Sequence, residues 1–305
     1  MASERQRLAA ALTISSLLSS TVTGSQKTTF HAETRLVVLH ATVRNSRGEL
    51  ITNLDQNAFS VYENGKRQPI TLFHRDDVPV SVGLLVDNSG SMRTLRAQIE
   101  AAALAFVRAS HPLDEVFVVN FAARARVDVP MTNDVRILEA GIAAAEAIGG
   151  TAIRDAVILA ENYLQVHASH DRRVLLLITD GNDTASTASM DQLRRMSEHN
   201  ETAIFAVALF RDATAAKRGR RELEQLTDRT GGVTYAPTSS DQIGSLALEI
   251  AHLIRNQYTI AYTPLDQALD GRYRAIQVRV TGPGGHMSVR TRAGYWAMRE
   301  PTPNQ

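Results

Sequence analysis

Apolar residues recur at two different spacings along the chain. From Arg35 the spacing is two: Val37, Leu39, Ala41 and Val43 alternate with Val38, His40, Thr42 and Arg44. That pattern predicts a strand with one buried face. Residues 59–63 and 68–73 flank Asn64-Gly65, a two-residue hairpin signal. Residues 257–263, 273–280 and 288–295 repeat this style, with Pro and Gly between them. Between 80 and 256 the pattern changes. Apolar runs near 80–86, 115–121, 126–129, 174–179, 203–210 and 233–236 predict strands. Stretches near 94–110, 135–147, 154–167, 190–200, 220–229 and 241–255 have helical spacing. Asn133 and Ser189 fit helix N-caps, and Gly231 follows a helix end.

Strands that are apolar throughout, alternating with helices, predict an α/β fold with a doubly wound, mostly parallel sheet. Each flanking β segment is small for a core of its own. The N- and C-terminal strands are therefore expected to join in one small β-sandwich, into which the α/β domain is inserted. The expected divisions are a leader at 1–30, sandwich strands at 31–78, the α/β domain at 79–256, sandwich strands at 257–297 and a tail at 298–305.

Composition narrows the function classes. The 305 residues carry 33 basic and 32 acidic side chains, a net charge of +1. So even a balance gives no general case for nucleic-acid binding. Cysteine is absent, which excludes disulfides, thiolate metal sites and a cysteine nucleophile. Residues 1–7 include Arg5 and Arg7, 8–18 are mostly apolar and small, and Val22-Thr23-Gly24 offers small or aliphatic residues for cleavage. This predicts a secretory signal and a secreted or periplasmic protein. The alternative is a leader on a cytoplasmic protein. No apolar run is long enough for a transmembrane segment.

The candidate chemistry begins where the first apolar run of the α/β region ends. Val80-Ser81-Val82-Gly83-Leu84-Leu85-Val86 is followed at once by Asp87-Asn88-Ser89-Gly90-Ser91. One carboxylate and two hydroxyls, at alternate positions, leave the expected carboxyl end of a buried strand. Ligands in open α/β sheets bind in that region. Gly149-Gly150-Thr151 brings another hydroxyl before a helix, and the run 173–179 ends in Asp180-Gly181. Singly, Asp87 fits an N-cap and Asp180-Gly181 a turn. Jointly, Asp87, Ser89, Ser91, Thr151 and Asp180 form a set of hard oxygen donors suited to Mg²⁺, Mn²⁺ or Ca²⁺.

D-x-S-x-S, then T, then D resembles the metal-ion-dependent adhesion site of von Willebrand factor A domains. Residues 59–66, 75–87 and Arg292-Ala293-Gly294-Tyr295-Trp296 extend the likeness. They resemble the bacterial VWFA-related family of acidobacterial type, from about residue 34 to 296. The resemblance implies that Ser89, Ser91 and Thr151 touch the cation, while Asp87 and Asp180 act directly or through water. It also implies a protein partner that presents an Asp or Glu to the metal.

Enzymatic readings fit less well. Ser89 and Ser91 lack the G-x-S-x-G frame of a nucleophile elbow, because Asp87 and Arg93 stand where it needs glycines. A D-x-D-x-T phosphatase needs a carboxylate where Ser89 stands. The phosphate-loop, dinucleotide and H-E-x-x-H motifs are absent. Arg93 and Arg96 follow the metal loop and are candidates for pairing with an acidic ligand, or for facing water. Lys217-Arg218-Gly219-Arg220-Arg221 reads as a solvated loop opening a helix, or as a docking patch for an acidic partner. The expectation is therefore a metal-dependent, adhesion-type protein-binding module and not an enzyme. A cytoplasmic assembly factor using the same domain is the alternative, and the oligomeric state stays open.

Overall fold

The computed structural model describes residues 35–75, 77–143, 149–210, 213–239, 241–282 and 286–298, the side chains of 213–216 excepted. The expected leader, and the tail beyond 298, lie outside them. In chain order the elements are β1 (Val37–Arg44), β2 (Phe59–Glu63), β3 (Lys66–Gln68), β4 (Leu72–His74), β5 (Ser81–Asp87), α1 (Arg96–Ala109), β6 (Glu115–Phe121) and β7 (Ala125–Thr132). Then follow α2 (Val135–Ala143), α3 (Ile153–His167), β8 (Arg173–Thr179), α4 (Met190–Asn200), β9 (Ala203–Ala208), α5 (Ala213–Thr230) and β10 (Thr234–Tyr235). The last are α6 (Gln242–Arg255), β11 (Tyr258–Tyr262), β12 (Tyr273–Val280), β13 (Ser288–Arg290) and β14 (Gly294–Trp296).

The fold is α/β. Six strands form a sheet in the order β10-β9-β8-β5-β6-β7, parallel except for the β6/β7 pair. Every residue of β5 is buried, as its apolar run requires. One face packs α1, α2 and α6 against Val82, Leu84 and Val86. The other packs α3, α4 and α5 against Leu85, Leu175 and Leu177. At Gly83 the layers close in until a side chain has no room: a Cβ there would lie 2.5 Å from both Leu175 and Phe117. From β5 the chain goes to β6 on one side and later returns to β8 on the other. The strand order therefore reverses between the carboxyl ends of β5 and β8, which opens a crevice there.

The N- and C-terminal strands make two antiparallel four-stranded sheets, β13-β1-β11-β4 and β14-β12-β2-β3. Each mixes strands from both ends of the chain. Their shared core joins Leu39, Val43, Phe59 and Val61 to Tyr258, Ile260, Ile276 and Tyr295. Phe59 lies 4.8 Å from the Tyr258 ring and 5.3 Å from that of Phe73. Buried Glu63 accepts hydrogen bonds from Tyr262 (2.8 Å) and Tyr295 (2.9 Å), tying the two sheets together.

Four local expectations change. The run 68–73 is not one strand: β3 pairs with β2, Pro69 interrupts, and β4 pairs with β11 in the other sheet. Proline lacks the N–H a continuous ladder needs. The run 288–295 likewise divides between sheets as β13 and β14. Asp134, not Asn133, caps α2, because its Oδ1 accepts from Arg136 N at 2.9 Å and its carbonyl from Leu138 N at 3.2 Å. Helix α5 begins at Ala213 rather than near 220, so the basic cluster lies inside it. Ser189 does cap α4, in a capping box with Gln192. Among the described residues, no helix is long and apolar enough to cross a membrane.

Candidate metal centre

Asp87 is the last residue of β5, and Thr179 ends the neighbouring parallel strand β8. Thr179 Oγ1 donates to Asp87 Oδ2 at 2.6 Å, while Asp87 Oδ1 accepts from Ser89 N at 2.9 Å. The carboxylate is thus oriented from both sides, and its residue is 1% exposed. Ser89 precedes a 3₁₀ turn, Gly90–Leu95, which brings Ser89 Oγ and Ser91 Oγ to 2.9 Å.

Backbone bonds lace the other two loops to this one. Gly90 N donates to Gly149 O at 3.1 Å. Thr184 N and Ala185 N both donate to Thr151 O at 2.9 Å, and Thr151 N donates to Thr184 Oγ1 at 3.0 Å. Asp180 Oδ1 accepts from Asn182 N at 3.1 Å. The three segments therefore meet over the crevice between β5 and β8. Ser89 and Ser91 touch directly, and Asp180 is within electrostatic reach of Asp87. Thr151 is brought in through its backbone and is 4% exposed.

Electrostatics at this point favour a cation. Burial, opposed by the hydrogen bonds from Thr179 and Ser89 and helped by the Asp180 charge, raises the Asp87 carboxyl to about 6. Asp180 places a second carboxylate close enough to act on Asp87. A divalent ion would reverse that penalty. Among the described residues no three His, Cys, Asp or Glu side chains gather to hold a metal. A cation at this crevice would rest on hydroxyls plus two carboxylates, a donor set for a hard ion.

Neighbouring residues take supporting parts that the sequence did not reveal. Asn88 Nδ2 donates to Asn120 Oδ1 at 2.8 Å, and Asn120 Nδ2 to Asp128 Oδ2 at 2.8 Å. Arg96 bonds Asn88, Glu100 and the carbonyl of Ile142, so it braces the loop from below and is not spare for a ligand. Asp183 is likewise occupied: it accepts from Ser186 N, Ser186 Oγ and Arg154 N at 3.1, 2.7 and 3.0 Å. The signal for Thr179 was available, as the one hydroxyl in an otherwise aliphatic run. The asparagine relay joins residues 32 positions apart and had no local signature.

Residues 82–182 match the family model of the von Willebrand factor type A domain. The chain carries such a domain, with the six-stranded sheet as its centre. A von Willebrand factor type A protein from Catenulispora acidiphila superposes with a TM-score of 0.52 at 12% identity, over 87% of this chain and 75% of that one. Proximal thread matrix protein 1 from the mussel byssus, solved with a zinc-occupied MIDAS motif, gives 0.51 at 17% identity, over 63% of this chain and 50% of its own. No curated protein matches the chain.

Proposed function

We propose that this protein is a metal-ion-dependent binding module that captures an acidic side chain of a partner protein at the carboxyl edge of its parallel sheet. The observation that carries this reading is the buried Asp87 carboxylate, held between Thr179 and Ser89 beside a second carboxylate. Asp87, Ser89, Ser91, Thr151 and Asp180 would hold the cation. Zinc occupies the MIDAS motif of the mussel protein. For this chain the all-oxygen donor set leads us to Mg²⁺, Mn²⁺ or Ca²⁺. Bound there, such an ion supplies an electrophilic centre that hydroxyl donors leave incompletely neutralised. The side chains orient it, the laced loops fix their spacing, and a partner's Asp or Glu completes the charge.

Thermal melts test this directly. A ligand bound only by the folded state stabilises by roughly 2.7 kcal/mol at a hundredfold excess over its Kd. Mg²⁺ or Mn²⁺ should raise Tm above its value in chelator, and Asp87→Ala should remove most of the increase. Coincident melts at all cation concentrations, with no heat in calorimetric titration, would overturn the site.

A further inference from the structure

Gly219 of α5 packs on Gly181, the residue after Asp180. A Cβ at 219 would lie 2.6 Å from Gly181 O. A Cβ on Gly181, whose φ is +76°, would in turn meet Phe210 at 3.0 Å and Leu223 at 3.3 Å. The loop carrying Asp180 is therefore seated on the second turn of α5. That helix starts at Ala213, six residues before Gly219. At 1.5 Å per residue its first turns extend about 9 Å past the contact. Because α5 follows β9 and runs back along the sheet, those turns stand beyond the carboxyl edge, as a wall beside the proposed cation site.

The wall is basic. Lys217, Arg218, Arg220 and Arg221 flank the buried Gly219 in sequence, and all four are exposed. At about 100° per residue Arg218 and Arg220 lie to either side of it, and Lys217 and Arg221 on the outer face of the helix. Arg220 lies over the Phe210 ring at 5.9 Å and pairs with Glu224 at 4.0 Å, and Arg218 pairs with Glu222 at 3.0 Å. Surface pairs of this kind contribute little and exchange readily. Lys217 and Arg221, one helical turn apart, enter no ion pair among the described residues.

We propose that this turn of α5 is a second contact for the partner, which reads an acidic flank next to the residue captured at the metal. The partner would therefore present a run of carboxylates rather than one. This rests on the cation-capture reading but separates from it: the metal contact is short-ranged and the α5 contact is screened by salt, with a Debye length of about 8 Å at physiological ionic strength.

Two labelled octapeptides provide the probe, one with a single Glu in a Gly/Ser background and one with four consecutive Glu. Anisotropy titrations use the full chain in Mn²⁺ and in chelator, at low and high salt. The four-Glu peptide should bind about tenfold tighter in Mn²⁺ at low salt, and this preference should shrink at high salt. Lys217→Gln/Arg218→Gln/Arg221→Gln keeps good helix formers. It should reduce the preference to below about twofold, with the single-Glu affinity and the Mn²⁺-induced Tm rise unchanged. A triple variant that retains the preference, or a wild-type chain that binds both peptides equally at low salt, would overturn the proposal. Should the variant fold poorly, the salt dependence of the wild-type preference decides: a preference unmoved by salt counts against α5. If the preference survives chelation and is lost in the triple variant, the α5 contact stands and the cation-capture reading falls. If chelation abolishes binding while the variant keeps its preference, the reverse holds.

Discussion

Thr179 Oγ1 and Asp87 Oδ2, 2.6 Å apart, join the ends of two adjacent parallel strands at the crevice where the strand order reverses. The bond does two things. It satisfies a buried carboxylate, and it fixes which way the other oxygen points. Thr179→Val preserves shape but deletes the donor. A buried hydrogen bond to a charged group contributes about 1.5–3 kcal/mol. Melts in chelator should therefore fall by about 3–10 °C, and the cation-induced rise should shrink. Thr179→Ser should restore both. A valine variant that melts like the wild type and responds fully to Mn²⁺ would show that Asp87 is oriented by other means.

The Gly219–Gly181 contact makes a second expectation. Alanine favours a helix over glycine by about 1 kcal/mol. Here, however, the added methyl would lie 2.6 Å from a backbone oxygen that cannot rotate away. Overpacking of this kind costs about 1–3 kcal/mol, so the steric cost should win. Gly219→Ala should lower Tm and, by shifting the loop that carries Asp180, weaken the response to Mn²⁺. Gly244→Ala is the matched control, since it lies in a helix with nothing within 4 Å of the added carbon. That variant should be neutral or stabilising. Equal behaviour of the two variants would argue against a tight contact at 219.

Much of this was legible in the sequence because it is local. The aliphatic runs of β5 and β8 announce buried parallel strands, and Asp87, Ser89 and Ser91 fall at alternate positions where β5 ends and the next turn begins. Ser189 and Gln192 carry a capping box in four residues. What escaped depends on pairing at a distance. Nothing in residues 68–73 says that the chain changes sheets at Pro69, because β4 is fixed by β11, far along the chain. The early start of α5 was obscured by the glycine at 219, which looks like a break. It is instead the place where the helix meets the loop carrying Asp180. Of the partners of Arg96, Glu100 is four residues on along the same helix and was legible, whereas Asn88 and the Ile142 carbonyl become neighbours only through folding.

Half-buried His40 and buried Glu161 set opposite pH responses. Burial, then the charges of Arg172 and Arg292, push His40 down to about 3. Between 3 and its ordinary 6.5 the unfolded chain binds a proton that the folded chain does not. Stability should therefore fall as pH drops through that window. Burial pushes Glu161 up to about 7, against a hydrogen bond from Asn200 at 3.1 Å. Between 4.5 and 7 the folded chain holds a proton that the unfolded chain has lost, so stability falls as pH rises. From 4.5 to 6.5 the two slopes oppose each other. Urea denaturation across pH should show His40→Gln losing the acid decline, by an amount on the order of a few kcal/mol at pH 4. Glu161→Gln should gain stability near pH 7.5 and expose the His40 slope. Parallel profiles for all three proteins would contradict both assignments.

The mixed sheets make the last expectation. In one sheet β1 lies between β11 and β13, and in the other β2 lies between β12 and β3. Removing residues 258–305 would take away both partners of β1 and one of β2. It would also uncover Val37, Leu39, Val43, Phe59 and Val61, all within 3% of full burial. Burying one such side chain is worth about 1.5–3 kcal/mol, so uncovering these residues would cost an amount comparable to a domain's whole net stability. The unpaired edges would also template association between chains. The six-stranded sheet has separate cores on its two faces, neither of which includes β1 or β2. A chain of residues 79–257 should therefore remain soluble and keep its response to Mn²⁺, whereas one of residues 31–257 should aggregate. Size-exclusion chromatography with light scattering, followed by melts in Mn²⁺ and chelator, distinguishes them. A monomeric 31–257 chain with one cooperative transition would mean that β1–β4 reach a stable packing without the C-terminal strands.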